Sequence, residues 1–224
     1  ELSEELCKRR PNLFKVADIC FKDSSLINSE LRPRLYCSLL RLEKSRIQQS
    51  SDLLLKKQLL TAEKDLENQR IICADCKRTN STDIYFKLDT TRQLMENILT
   101  YYCKRRSIKY MQGLNFVLAP FLKMLDNVDD KKHDVIGPGA IFELYYAFVN
   151  KVLPNIYVDE NFKSLQHSFK VFRLLLLYHD PQVCMVLDQN DIVPELYATP
   201  WFVTCFSRDL PLEALYILWD HYLL

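Results

Sequence analysis

Apolar residues recur at helical spacing in six stretches of the chain, and nowhere do they alternate as a half-buried strand requires. Leu31, Leu35 and Leu39 share one helical face, with Pro33 fitting the first turn. Leu94, Ile98, Leu99 and Tyr102 form a second face, opened by Thr90 and Gln93 as a capping box. A third stretch, 110–125, carries Leu114, Val117, Leu118, Phe121, Leu122 and Leu125. Residues 140–152 and 162–178 predict two further helices, the latter with Leu165, Phe169, Phe172 and Leu176 inward, and Pro154 and Pro181 help end them. The last helix presents Leu215, Leu218, Trp219 and Tyr222 after a start at Asp209 to Glu213 that holds Pro211. With no terminating signal before Leu224, the chain reads as a piece of a longer protein.

Between these stretches the pattern changes. Leu42 to Arg70 is rich in Lys, Glu, Gln and Leu and predicts an exposed helical arm, broken near Gln48-Gln49-Ser50-Ser51. Residues 71–89 mix short apolar groups with Asp75, Thr79, Asn80, Ser81, Thr82 and Asp83, which compete for backbone hydrogen bonds, so a loop is expected there. A polar loop with Asp129, Asp130, Lys131, Lys132 and His133 is punctuated by Gly137-Pro138-Gly139. The expected fold class is all-α.

Composition narrows the function. The 224 residues suffice for one sizeable core, and 48% apolar with 26% charged residues is ordinary globular usage. Only three glycines occur, and no phosphate-cradling glycine pattern, so any nucleotide that matters is expected on a partner. A net charge of +1 argues against nucleic acid as the partner. The eight cysteines lack framework spacing and read as reduced cytosolic thiols. The opening residues do not form a signal peptide, and no apolar run is long enough to span a membrane.

Few residues carry candidate chemistry. Cys73 and Cys76 match C-x-x-C without the further ligands that a zinc site needs, so no metal is expected. Lys104-Arg105-Arg106, with Lys109, suits either an acidic partner or the negative end of a helix dipole. Arg78 has Asp75 three residues before it, and a cation braced by a carboxylate is pre-organised for insertion into another site. Gln112 is a neutral donor and acceptor beside Gly113, which permits close approach.

Ile72-x-x-Asp75-x-x-Arg78-Thr79 and Tyr110-x-Gln112-Gly113, in that order, resemble the two finger motifs of TBC domains, and Arg32 to Tyr36 resembles their upstream Arg-x-x-x-aromatic motif. Thr199-Pro200-Trp201-Phe202 and Leu218-Trp219-Asp220 resemble the second half of that domain. The resemblance implies a helical lead-in over 1–26 and an all-helical TBC domain over 27–224, with its closing C-terminal helices lying past Leu224. It implies an activator that is not a stand-alone enzyme: Arg78 as arginine finger and Gln112 as glutamine finger, lent to a GTP-bound Rab that carries the GTP and Mg²⁺. Asp75, Tyr110, Gly113, Ile72 and Thr79 would support the fingers, and Arg32 and Tyr36 would be structural. It further implies a cytoplasmic chain, peripheral on trafficking membranes through its partners. Tyr36 stands where the family usually has tryptophan, and Asn80 where an apolar residue is common. These departures motivate the alternative of a TBC-like adaptor that binds a Rab with weak or no activation.

Overall fold

The computed structural model describes residues 1–8, 11–22, 31–42, 57–126, 137–159 and 161–224, excepting the side chains of residues 7 and 126. All regular structure among them is helical: α1 Leu2–Cys7, α2 Leu13–Lys22, α3 Arg32–Leu39, α4 Gln69–Arg78, α5 Ile84–Lys87, α6 Asp89–Arg106 and α7 Leu114–Asp126. Then come α8 Pro138–Val152, α9 Lys163–His179, α10 Pro181–Gln189, α11 Pro194–Tyr197, α12 Thr199–Thr204 and α13 Leu212–Leu223. One further helical turn covers 57–61. The expected break at 48–51 and the loop at 129–133 lie outside the described residues.

The inward faces of α3, α6, α7, α8 and α13 enclose the larger core, in which Leu35, Ile98, Leu114, Phe121, Phe148 and Trp219 are fully buried. Its centre is aromatic: the Trp219 ring lies 4.4 Å from Phe148 and 5.4 Å from Phe121, and Phe121 lies 5.3 Å from Phe148. Offset and tilted ring pairs of this kind add about 0.5–1.5 kcal/mol each beyond their burial. A smaller core gathers Leu165 and Phe169 of α9 and Ala198, at the junction of α11 and α12, with Tyr197 of α11 and Trp201 and Phe202 of α12. Val203 packs against both cores.

Several local expectations are corrected. Residues 69–78 form a helix rather than a loop, because Ile72, Asp75 and Cys76 share one buried face at helical spacing, with Thr79 buried just beyond. Arg78 therefore ends a helix, where a cation also meets the negative end of the dipole. Helix α6 begins at Asp89 with Leu88 as its cap and no side-chain capping bond, so Thr90 and Gln93 make no capping box. At α13, Pro211 is the cap residue and Asp209 forms no capping bond. Pro181 opens α10, with the Asp180 side chain accepting from the Val183 N–H at 3.1 Å, rather than merely closing α9. The charged arm is not helical over 62–66, and Leu59 within it is buried. Tyr222 is half exposed, and Tyr216 and Leu223 take inward positions on α13.

Candidate functional site

Helix α4 and the segment 110–115 lie along one another, tied at three points. Near the start of α4, Asn68 donates from Nδ2 to the Tyr110 carbonyl at 2.8 Å. In the middle, the Tyr110 hydroxyl donates to Asp75 Oδ2 at 2.8 Å. At the end, Asn115 donates from Nδ2 to Thr79 Oγ1 at 2.8 Å, and that hydroxyl donates to the Asp75 carbonyl at 2.6 Å. Asp75, Thr79 and Asn115 are fully buried, and buried polar groups persist only when hydrogen-bonded, so this set holds the two segments in one register. Burial, reinforced by the bond to Asp75, pushes the Tyr110 hydroxyl well above its ordinary range and keeps its proton in place for donation.

Two polar side chains project from this buried platform. Arg78 is 57% exposed and ion-paired from Nη2 to Asp75 Oδ1. The carboxylate thus serves Arg78 with one oxygen and Tyr110 with the other. Ile72, one turn before Asp75, anchors α4 in the core. Gln112 sits in the turn before α7, exposed, with no hydrogen bond to its amide from the described residues. An arginine and a glutamine are therefore presented to solvent from adjacent, mutually bonded segments. Asn80, which follows Thr79, adopts a left-handed φ of 45°, a conformation asparagine tolerates better than an apolar residue.

Gly113 has a φ of +119°, and a Cβ there would stand 2.6 Å from Val203 Cγ1 and 3.4 Å from the Tyr157 hydroxyl. The close approach that the glycine permits is by the chain's own α12. The Tyr157 hydroxyl donates to the Val203 carbonyl, fixing that wall. Gly113→Ala is expected to cost about 1–3 kcal/mol in urea unfolding. Adding Val203→Ala should relieve the contact but not the backbone strain, leaving most of the loss in place.

Arg32 and Tyr36 lie away from this platform, on α3. Arg32 Nε and Nη2 donate to Asp220 at 3.1 Å each, and the Tyr36 hydroxyl donates to Asp220 Oδ1 at 2.7 Å. The guanidinium also lies 4.5 Å from the Tyr216 ring centre. This buried cluster joins α3 to α13 across the core. The basic run is engaged at the end of α6: Arg105 pairs with buried Glu143 at 2.7 Å and covers the Tyr146 ring, and Lys104 pairs with Asp65. Cys73 and Cys76 lie on α4, where burial raises the Cys76 thiol and disfavours the reactive thiolate.

Sequence reasoning did not single out Asn115, Asn68 or the pairing of Asp220. The signal for Asn115 was available: it is the one polar side chain in the run Leu114 to Ala119, where burial demands partners. For Asn68 and Asp220 no local signal exists.

The fold superposes on the crystal structure of the Ypt/Rab-GAP domain of Gyp1p with a TM-score of 0.78 at 16% identity, over 98% of this chain and 76% of that one. In sequence, the chain is 37% identical over 115 residues to a TBC domain-containing protein kinase-like protein of Dictyostelium discoideum, covering 51% of this chain and 10% of that protein. It is 26% identical over 167 residues to human growth hormone-regulated TBC protein 1, covering 73% of this chain and 46% of that protein. The profile of the Rab-GTPase-TBC domain matches residues 29–224, and the chain belongs to that family. It spans about a tenth of the kinase-like relative. Among the described residues, no helix is long and apolar enough to cross a membrane.

Proposed function

We propose that this domain accelerates GTP hydrolysis on a Rab-family GTPase by lending it Arg78 and Gln112. The observation that carries this reading is the presentation of both side chains from one buried platform, Arg78 braced by Asp75 and Gln112 on the turn fixed by Gly113. In a docked complex Arg78 would leave Asp75 for the γ-phosphoryl group, offsetting the charge that spreads over it in the transition state. Asp75 would keep its bond from Tyr110 during that exchange. Gln112, free to donate and accept, would orient the attacking water, the part usually played by the GTPase's own glutamine. GTP and Mg²⁺ belong to the partner in this scheme, and the activity would place the protein in vesicle trafficking.

The adaptor alternative drew on Tyr36 and Asn80. Tyr36 is fully buried and bonded to Asp220, and Asn80 occupies a backbone conformation suited to asparagine, so neither residue favours it over activation.

The test is single-turnover phosphate release from a panel of GTP-loaded Rabs. At least one should be accelerated by the wild-type domain, and Gln112→Ala should slow that reaction by about 10²-fold or more, the scale of a lost transition-state hydrogen-bonding group. Its thermal midpoint should match wild type, since nothing among the described residues holds that side chain. Binding to a Rab in the panel, with acceleration of none, would instead support the adaptor.

A further inference from the structure

We propose that Asn115 is a positioning residue that locks the Arg78 and Gln112 segments into a single unit, an inference that rests on the finger roles given above. Its side-chain amide touches the residue that follows each finger. Oδ1 accepts the Gly113 N–H at 3.0 Å, and Nδ2 donates to Thr79 Oγ1 at 2.8 Å. Oδ1 also lies 3.2 Å from the Tyr110 hydroxyl, whose single proton is directed at the nearer, charged Asp75.

The orientation of this amide follows from its surroundings. Thr79 commits its proton to the Asp75 carbonyl at 2.6 Å, so it can only accept from Asn115. Gly113 offers an N–H, so it can only donate. Nitrogen toward Thr79 and oxygen toward Gly113 is the arrangement that satisfies both, and asparagine is short enough to do so from the first turn of α7. Asn115 is fully buried, so water cannot replace either bond cheaply. A shift of Thr79 is thereby passed to Gly113, and the separation of the fingers is set from inside the fold rather than by the docked GTPase.

Three variants of the 224-residue chain test this: Asn115→Ala, Asn115→Ser, whose hydroxyl is too short to bridge both partners, and Asn115→Ala combined with Arg78→Ala. Stimulated turnover is measured on a GTP-loaded Rab that the wild type accelerates. With the bridge cut, kcat should fall about 10²-fold, the cost of a misplacement near 1 Å, while KM changes less than about threefold. The double variant should lose clearly less than the product of the two separate losses, because a misplaced Arg78 and an absent one fail in the same way and only the displacement of Gln112 adds to the loss. A drop in stability alone moves the thermal midpoint without producing that pattern. Unchanged kcat in both single variants, or fully multiplicative losses in the double, overturns the proposal.

Amide exchange at Gly113 is read in the same variants without any GTPase. At least tenfold faster exchange at Gly113, with α8 unaffected, supports the lock, and unchanged exchange overturns it. If wild type accelerates no Rab yet Gly113 exchange responds, the finger roles fail and the mechanical coupling stands. Should Asn115→Ala not fold, Asn115→Ser carries both measurements.

Discussion

Arg78→Ala is expected to reduce stimulated GTP hydrolysis by a factor on the order of 10³–10⁵, the range for arginine fingers, or about 4–7 kcal/mol of barrier. Half-exposed at the end of α4, the guanidinium contributes little to the core, so the domain should remain folded. Some stability will be lost, because Asp75 is fully buried and would keep only the Tyr110 proton and its surroundings. Arg78→Lys separates the two effects. A lysine ammonium can still face Asp75, so the thermal midpoint should recover. It lacks the planar fork that spans two phosphoryl oxygens, so most of the rate loss should persist. Phosphate release and a thermal melt on the same preparations decide it. A lysine variant with wild-type turnover would reduce Arg78 to a structural cation.

The largest stability effect is expected from Arg32→Ala, in the buried cluster that ties α3 to α13. Asp220 there is buried and accepts from Arg32 at 3.1 Å and Tyr36 at 2.7 Å. Removing the guanidinium leaves a carboxylate far from water with one neutral donor. Breaking a buried pair in this way costs about 3–5 kcal/mol, a large part of the 5–15 kcal/mol that holds a typical domain. Urea unfolding should show a lowered midpoint with little change in slope. Tyr36→Phe, which keeps the ion pair and removes one charged hydrogen bond, should cost about 1.5–3 kcal/mol. If both variants unfold at the wild-type midpoint, this cluster does not hold α3 to α13.

Where apolar spacing was unbroken, the sequence was legible. The buried face of α7 was anticipated at Leu114, Val117, Leu118, Phe121 and Leu122, that of α6 at Ile98, Leu99 and Tyr102 without Met95 and Cys103, and that of α9 at Leu165 and Phe169, while Leu94, Phe172 and Leu176 are only partly buried. Helix α4 was misread because its inward face mixes Ile72 and Cys76 with Asp75, leading to Thr79. The groups that satisfy those polar atoms, Tyr110 and Asn115, stand 35 and 36 residues away in the chain. No window of local sequence contains both halves of that arrangement, so local competition for hydrogen bonds was weighed without the tertiary bonds that outcompete it.

By itself the sequence determined the helical class and the chemical types at the site, and it set Asp75 three residues before Arg78, a spacing that makes the two side chains neighbours once the segment is helical. Its motifs also pointed to the family that the comparisons establish. Only the tertiary structure decided that Arg78 ends a helix, that Gly113 is needed because Val203 approaches it, and that Asp220 is the partner of Arg32, 188 residues distant. The division has a physical cause. Periodicity and short-range pairing depend on neighbours along the chain, whereas satisfying a buried polar group depends on whatever the completed core brings against it.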